Sequence, residues 1–203
     1  RLSGAPGAWR ETVEGLRAAL KEDLYVSKNT TIMSANQDDV LETMRFLIGL
    51  GVRNIAFNSV IRSGKGKETE GVAYPVLQDL LTKLSLLAEE AGVHMTWYTP
   101  TPYCELNPIN LGLGIKQCTA CSINMAVEPD GTVLPCQSYY FPLGNILKDP
   151  WAYIWGHDLC KEIRGRMYVE ERCSECALLD TCGGGCPLSR KMGSRACWDR
   201  GPS

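Results

Sequence analysis

The stretch Cys173-Ser174-Glu175-Cys176-Ala177-Leu178-Leu179-Asp180-Thr181-Cys182-Gly183-Gly184-Gly185-Cys186 sets four thiols in close order, with three glycines between the last two. Thiolates at such spacings are a ligand set for soft metals. Glycines let the backbone approach a bulky centre closely, and their N–H groups can point at sulfide. The pattern continues on both sides. Cys197 follows Cys186 after ten residues. Upstream, Cys121 is followed after nine residues by Gly131 and after four more by Cys136, and Cys118 makes a CxxC with Cys121. All ten cysteines of the 203-residue chain lie at or beyond Cys104, and eight of them would hold two four-ligand centres.

Three chemistries compete for such a set: a secreted disulfide scaffold, structural zinc, or iron–sulfur. Disulfide scaffolds are usually short chains without a large core. Here the first 103 residues hold no cysteine and read as ordinary cytosolic α/β sequence. Zinc favours two CxxC knuckles, and Cys118/Cys121 with Cys173/Cys176 would serve. That choice leaves Cys136, Cys182, Cys186 and Cys197 without a purpose. A zinc- or cluster-stapled binding module without catalysis is therefore the competing functional class.

Before the cysteines the periodicity alternates. Residues 8–21 place Val13, Leu16 and Leu20 on one helical face. The segment 24–33 is rich in β-formers. Asn36 or Asp38 can cap a helix that runs to Leu50, with Val40, Met44, Leu47 and Ile48 at helical spacing. A strand over 52–61, a polar loop over 62–72, a helix from Pro75 to Ala91 and a strand over 93–98 follow. The order α-β-α-β-α-β predicts parallel βα units. Three parallel strands leave a sheet edge bare, and this predicts further βα units upstream. The chain starts at Arg1 rather than Met, which points the same way. Thr99-Pro100-Thr101-Pro102 and Asn107-Pro108 read as a linker. Beyond it, residues 126–134 read as a hairpin with an Asp130-Gly131 turn, and 147–164 as a helical stretch.

The segment 121–197 resembles the SPASM domain, the C-terminal extension of many radical S-adenosylmethionine enzymes. The likeness rests on the seven motif cysteines and Gly131. Residues 1–100 resemble the second half of that family's partial (β/α)6 barrel, through Gly7-Ala8-Trp9, Thr30-Thr31 before Asn36, and Ser63-Gly64-Lys65-Gly66. The fold expected is thus α/β: a partial parallel βα barrel, second half only, over 1–100, then a small cysteine-rich α+β iron–sulfur domain over 101–203. The resemblance implies two auxiliary [4Fe–4S] clusters. Carried over by position, Cys121, Cys136 and Cys186 hold the first, with Cys118 as fourth ligand and Cys104 as fallback. Cys173, Cys176, Cys182 and Cys197 hold the second. Cys160 is left without a partner, as a buried thiol in a helix.

The resemblance further implies a missing N-terminal half of the barrel, a peptide or protein substrate, and an electron donor such as ferredoxin or flavodoxin. S-adenosylmethionine belongs to the complete enzyme only, because the Cys-x3-Cys-x2-Cys that binds its cluster is absent: Cys182-x3-Cys186 begins that pattern, but Ser189 stands in the third position. Gln137 also departs from the sulfatase-maturating relatives, in which an Asp after the cysteine matching Cys136 serves as base. An amide cannot take that proton at neutral pH.

Other residues are weaker candidates. Asn58 and Ser59 at a strand end, with Arg62 and Ser63 just beyond, are placed to line a cofactor or anionic substrate pocket, since barrel enzymes act at that end. His94 and His157 read as structural and surface residues. Trp151 and Trp155, four apart, share a helix face and read as core. Net charge −2 gives no basic surface for nucleic acid. No apolar run approaches the ~20 residues of a membrane span, and no signal peptide opens the chain. The expected location is cytoplasmic.

Overall fold

In the computed structural model, residues 5–189 are described. Three parallel strands run in sequence order, β1 (Ser27–Ile32), β2 (Asn54–Ser59) and β3 (His94–Trp97). Their register is in step, with Thr30 opposite Phe57 and Phe57 opposite Trp97. Helices α1 (Ala8–Ala19), α2 (Val40–Gly49) and α3 (Tyr74–Ala91) precede or join them. The expected order holds, with ends shifted by a few residues.

The cause is the apolar periodicity. Val40, Met44 and Leu47 of α2 and Leu77, Leu81, Leu84 and Ala88 of α3 turn inward onto Ile32, Ile55, Phe57 and Trp97. Pro75 sits in the first turn of α3, where its missing N–H costs nothing. The expected cap on α2 is different. Neither Asn36 nor Asp38 caps the helix through its side chain. Asn36 instead ties off β1: its amide donates to the Thr31 carbonyl at 2.9 Å, and its Oδ1 accepts from Met33 N–H at 2.9 Å. A one-turn 3-10 segment, Gln37–Asp39, then leads into α2. Among the described residues, only β2 pairs with β1, so its other edge is unpaired.

The segment after β3 is not a loose linker. Thr99, Thr101, Pro102 and Tyr103 are buried. Thr99 Oγ1 accepts from Ser59 N–H at 2.8 Å, and the Pro100 carbonyl accepts from Cys186 N–H at 3.1 Å. Proline and threonine here fix an extended strap that joins sheet and cysteine-rich half.

That second half has its own core of Ala120, Cys121, Val133, Leu143, Ile154, Leu159, Cys160 and Ile163. Strands β4 (Ala126–Val127) and β5 (Thr132–Leu134) form the expected antiparallel hairpin, and β6 (Gly144–Asn145) adds a third strand. Gly131 at the turn has φ 88°. A Cβ there would stand 2.8 Å from both Asn145 Oδ1 and Leu147 Cγ, so the turn needs glycine twice over.

The single helical stretch expected over 147–164 is two helices, α4 (Trp151–Trp155) and α5 (Asp158–Arg164). The break at Gly156-His157 is capped: Leu159 N–H donates to His157 Nδ1 at 3.1 Å. His157 is therefore a capping residue and half-buried. Trp151 and Trp155 do share a face, but it is the outer one, at 51% and 37% exposure, with ring centroids 5.9 Å apart. Ile154 alone on α4 is buried, which corrects the core reading of the two tryptophans.

Candidate metal centre

Two groups of cysteines form at the junction. In the first, Cys118 and Cys136 pack against the apolar core of the second half. Cys118 precedes the buried loop of Ala120 and Cys121, Cys136 follows β5, and Cys186 ends the glycine run. Burial pushes the Cys118 thiol up to about 12, and the charges of Cys186 and Cys136 add to that rise. Burial likewise raises Cys136 and Cys186, and Cys136 pushes Cys186 further. The charges of Cys136 and Cys186 bear on Cys118, and that of Cys136 on Cys186, so these thiols oppose ionisation at one another's sites without forming a ready metal-holding group. A cation would remove both penalties at once, since thiolate is the form that binds metal. The donor set thus suits a soft cationic centre.

Cys121 is at the same place, with φ 57°, a left-handed conformation rare outside glycine. Its sulfur is bonded to Cys160 of α5, Cα to Cα 5.3 Å. This corrects the expectation for Cys160, which is buried but not a free thiol. It also means that a Cys121 thiolate is available only when this bond is open. No three Cys, His, Asp or Glu side chains among the described residues are grouped so as to hold a metal ion, and Cys197 lies outside the described residues.

The second group is the one expected from the sequence, Cys173, Cys176 and Cys182, which the described residues do not bring together as a metal-holding set. Cys176 N–H donates to the Cys173 carbonyl at 3.1 Å, closing the CxxC turn. Cys173 and Cys182 are buried and Cys176 is exposed. Cys182 ends the short helix α6 (Leu179–Cys182). Its Sγ accepts from Tyr103 N–H at 3.3 Å, the sort of bond that tunes a sulfur ligand. Cys104 is exposed and lies by Arg172, whose pKa Glu170 first and Cys104 second hold above its ordinary value. Cys104 therefore neighbours the second group rather than the first.

The glycines between Cys182 and Cys186 are bound by geometry. Gly183, Gly184 and Gly185 take φ 65°, 77° and 84°, three successive left-handed residues. Tyr168 OH is directed at the carbonyls of Gly183 at 2.7 Å and Gly185 at 3.3 Å. Burial pushes the Tyr168 phenol well above its ordinary range, so it stays a donor.

Residues 118–177 match the family model SPASM, an iron-sulfur cluster-binding domain. This stretch is similar to the SPASM domain, and the chain shares its fold with the solved structures that follow. The solved structure of native anSMEcpe with bound AdoMet superposes with TM-score 0.62 at 20% identity, covering 93% of this chain and 53% of that one. The same protein with bound AdoMet and Cp18Cys peptide gives TM-score 0.58 at 21% identity, covering 84% and 50%. A curated relative, AdoMet-dependent heme synthase of Methanosarcina barkeri (strain Fusaro / DSM 804), is 22% identical over 89% of this chain and 56% of its own length. The chain thus spans about half the length of the proteins it matches.

The strand-end candidates are separated by the structure. Ser59 and Arg62 line a cleft of about 570 Å³ with Lys67, Tyr74 and, from the segment after Cys186, Ser189. Asn58 and Ser63 are not among its lining residues. Asn58 is occupied by Thr31 Oγ1–H, which donates to its Oδ1 at 3.2 Å, and by the Ser59 carbonyl, to which its own amide donates at 3.0 Å. His94 is exposed and pairs with Thr96 at 3.2 Å. Tyr103, Tyr168 and Arg164 touch the cysteine sites but escaped sequence reasoning, because no spacing rule links them to the thiols. No helix among the described residues is long and apolar enough to cross a membrane.

Proposed function

We propose that this chain is the C-terminal part of a radical S-adenosylmethionine enzyme, whose SPASM domain holds two auxiliary [4Fe–4S] clusters. The observation that carries this is the match of residues 118–177 to an iron-sulfur cluster-binding domain, with Cys118, Cys121 and Cys136 in or against the apolar core of that half. Cys118, Cys121, Cys136 and Cys186 hold the first cluster, and Cys173, Cys176, Cys182 and Cys197 the second. Cys118 is favoured over Cys104 because Cys104 lies with Arg172. When bound, such clusters supply electron transfer.

The chain's own groups have definite tasks. Tyr103 N–H aims at Cys182 Sγ, and Arg164 anchors the Cys121 loop. The apolar lining of the first site keeps water from the sulfurs. Ser59, Arg62 and Lys67, with Glu68 and Glu70 beside them, give the cleft at the C-terminal end of β2 groups of both signs, suited to a cofactor or substrate that carries an amine and a carboxylate. S-adenosylmethionine has such a carboxylate, and the AdoMet-dependent relative supports this assignment. Cleavage of S-adenosylmethionine needs a Cys-x3-Cys-x2-Cys supplied from the N-terminal half of the barrel, together with an electron donor such as ferredoxin or flavodoxin. A peptide or protein is the proposed substrate class.

Anaerobic purification followed by iron, sulfide and zinc analysis tests the reading. About eight iron and eight sulfide per chain are expected for two four-iron clusters. Zinc without sulfide would establish the non-catalytic binding module instead.

A further inference from the structure

The Cys121–Cys160 bond lies in the wall of the first cysteine site, between a motif position and a residue outside the motif. Both sulfurs are fully buried among Ala120, Val133, Leu143, Ile154 and Ile163. Their approach does not depend on the bond alone. Arg164, at the end of α5, donates to the Cys121 carbonyl at 3.0 Å, and Leu159 and Ile163 of the same helix enter the core that holds Cys121. His157 fixes the start of α5, one turn before Cys160. The helix therefore presents Cys160 to Cys121 whether or not the sulfurs are joined.

We infer that Cys160 is a fifth thiol of the first site, which removes Cys121 from the ligand set by forming a reversible disulfide with it. This rests on the proposed ligand role of Cys121. The step is a thiol–disulfide exchange with a small disulfide such as oxidised glutathione. Cys121 and Cys160 each give up a hydrogen and together lose two electrons as their S–S bond forms. The oxidant's S–S bond breaks and two small thiols leave. A dithiol reductant reverses the exchange. With the bond closed, only Cys118, Cys136 and Cys186 remain of the first quartet. The site then cannot complete four-thiolate ligation. Cluster assembly is coupled in this way to the thiol redox state through one residue that binds no iron itself.

The test uses the full chain stripped of metal by a chelator. It is treated with oxidised glutathione or with dithiothreitol, alkylated in denaturant, digested and analysed by mass spectrometry. A peptide cross-link joining Cys121 to Cys160 is expected after oxidation and is lost after reduction. Recovery of the two as unlinked cysteines after oxidation would overturn the inference. Iron and sulfide uptake is then measured. Oxidised wild-type chain takes up less than reduced chain and recovers with dithiothreitol, whereas Cys160→Ser keeps more of its uptake after oxidation. Should reduced Cys160→Ser load as poorly as reduced Cys121→Ser, Cys160 is a ligand and the inference falls. If no chain takes up iron, the cluster reading fails, while the cross-link still decides whether the thiols pair.

Discussion

Arg164 clamps the backbone of Cys121: its guanidinium donates to the Cys121 carbonyl at 3.0 Å and to the Trp155 carbonyl at 2.9 Å, and it lies 4.6 Å over the Trp155 ring. One planar fork thus ties α5, the end of α4 and the left-handed residue of the first cysteine site. Arg164→Met removes both charge-assisted bonds and leaves the Cys121 carbonyl without this donor. The expected loss of stability is about 1–3 kcal/mol by denaturant unfolding. Arg164→Lys recovers only part of it, because an ammonium is a point charge without the rigid fork. Full recovery by lysine would show that charge alone matters.

Of the three glycines between Cys182 and Cys186, Gly184 is the one where an added Cβ would meet a neighbour at the shortest range. At φ 77° a side chain is strained, and a Cβ would run into Val169 Cγ1. Gly184→Ala is expected to destabilise the chain by about 1–3 kcal/mol, through backbone strain and overpacking together. The double variant Gly184→Ala/Val169→Ala separates the two causes. Measured against Val169→Ala, alanine at 184 then costs less, but the cost of the left-handed backbone stays. Thermal unfolding of the four proteins decides it, and no cost of alanine in the Val169→Ala background would refute the strain argument.

In the sheet half, Leu84 and Leu86 of α3 differ only in the face they occupy. Leu84 is 0% exposed in the main core and Leu86 is 55% exposed. Leu84→Ala should cost about 2–5 kcal/mol as a core truncation. Leu86→Ala should stay within about 0.5 kcal/mol of wild type, as for a surface change. Equal effects on the midpoint of unfolding would contradict the inward face assigned to α3.

The sheet half was legible because each element repeats its signal over several turns: Leu77, Leu81, Leu84 and Ala88 recur at helical spacing, and burial follows. The cysteine motif was legible because spacing alone carries it. Single contacts were hidden. Nothing in the sequence joins Cys160 to Cys121 across 39 residues, since that pairing depends on how α5 docks. The outward face of Trp151 and Trp155 was hidden too. Large aromatic rings bury so much area that core is the natural expectation, and only the tertiary fold decided otherwise. The strap at Thr99–Tyr103 misled in the opposite sense, because Pro and Thr favour both a loose linker and a pinned extended segment.

The thiol groups also differ in when they ionise. Burial carries Cys118 from an ordinary thiol value of 9.0 up to about 12 against the opposing pull of the Ala120 backbone N–H, and the charges of Cys186 and Cys136 add lesser increments. Cys104 and Cys176 are exposed. In the metal-free, reduced chain, iodoacetamide at mildly alkaline pH should therefore label Cys104 and Cys176 well before Cys118. Labelling of Cys118 should rise only as pH climbs toward 12, because the thiolate is the reacting form. The sign for stability follows. The folded chain holds the Cys118 proton more tightly than the unfolded chain, so this contribution is fully present below about pH 9 and is lost as pH rises toward 12. Peptide mass spectrometry of labelling against pH measures the effect. A Cys118 labelling midpoint at the ordinary thiol value of 9.0 would mean that its pocket is open to water.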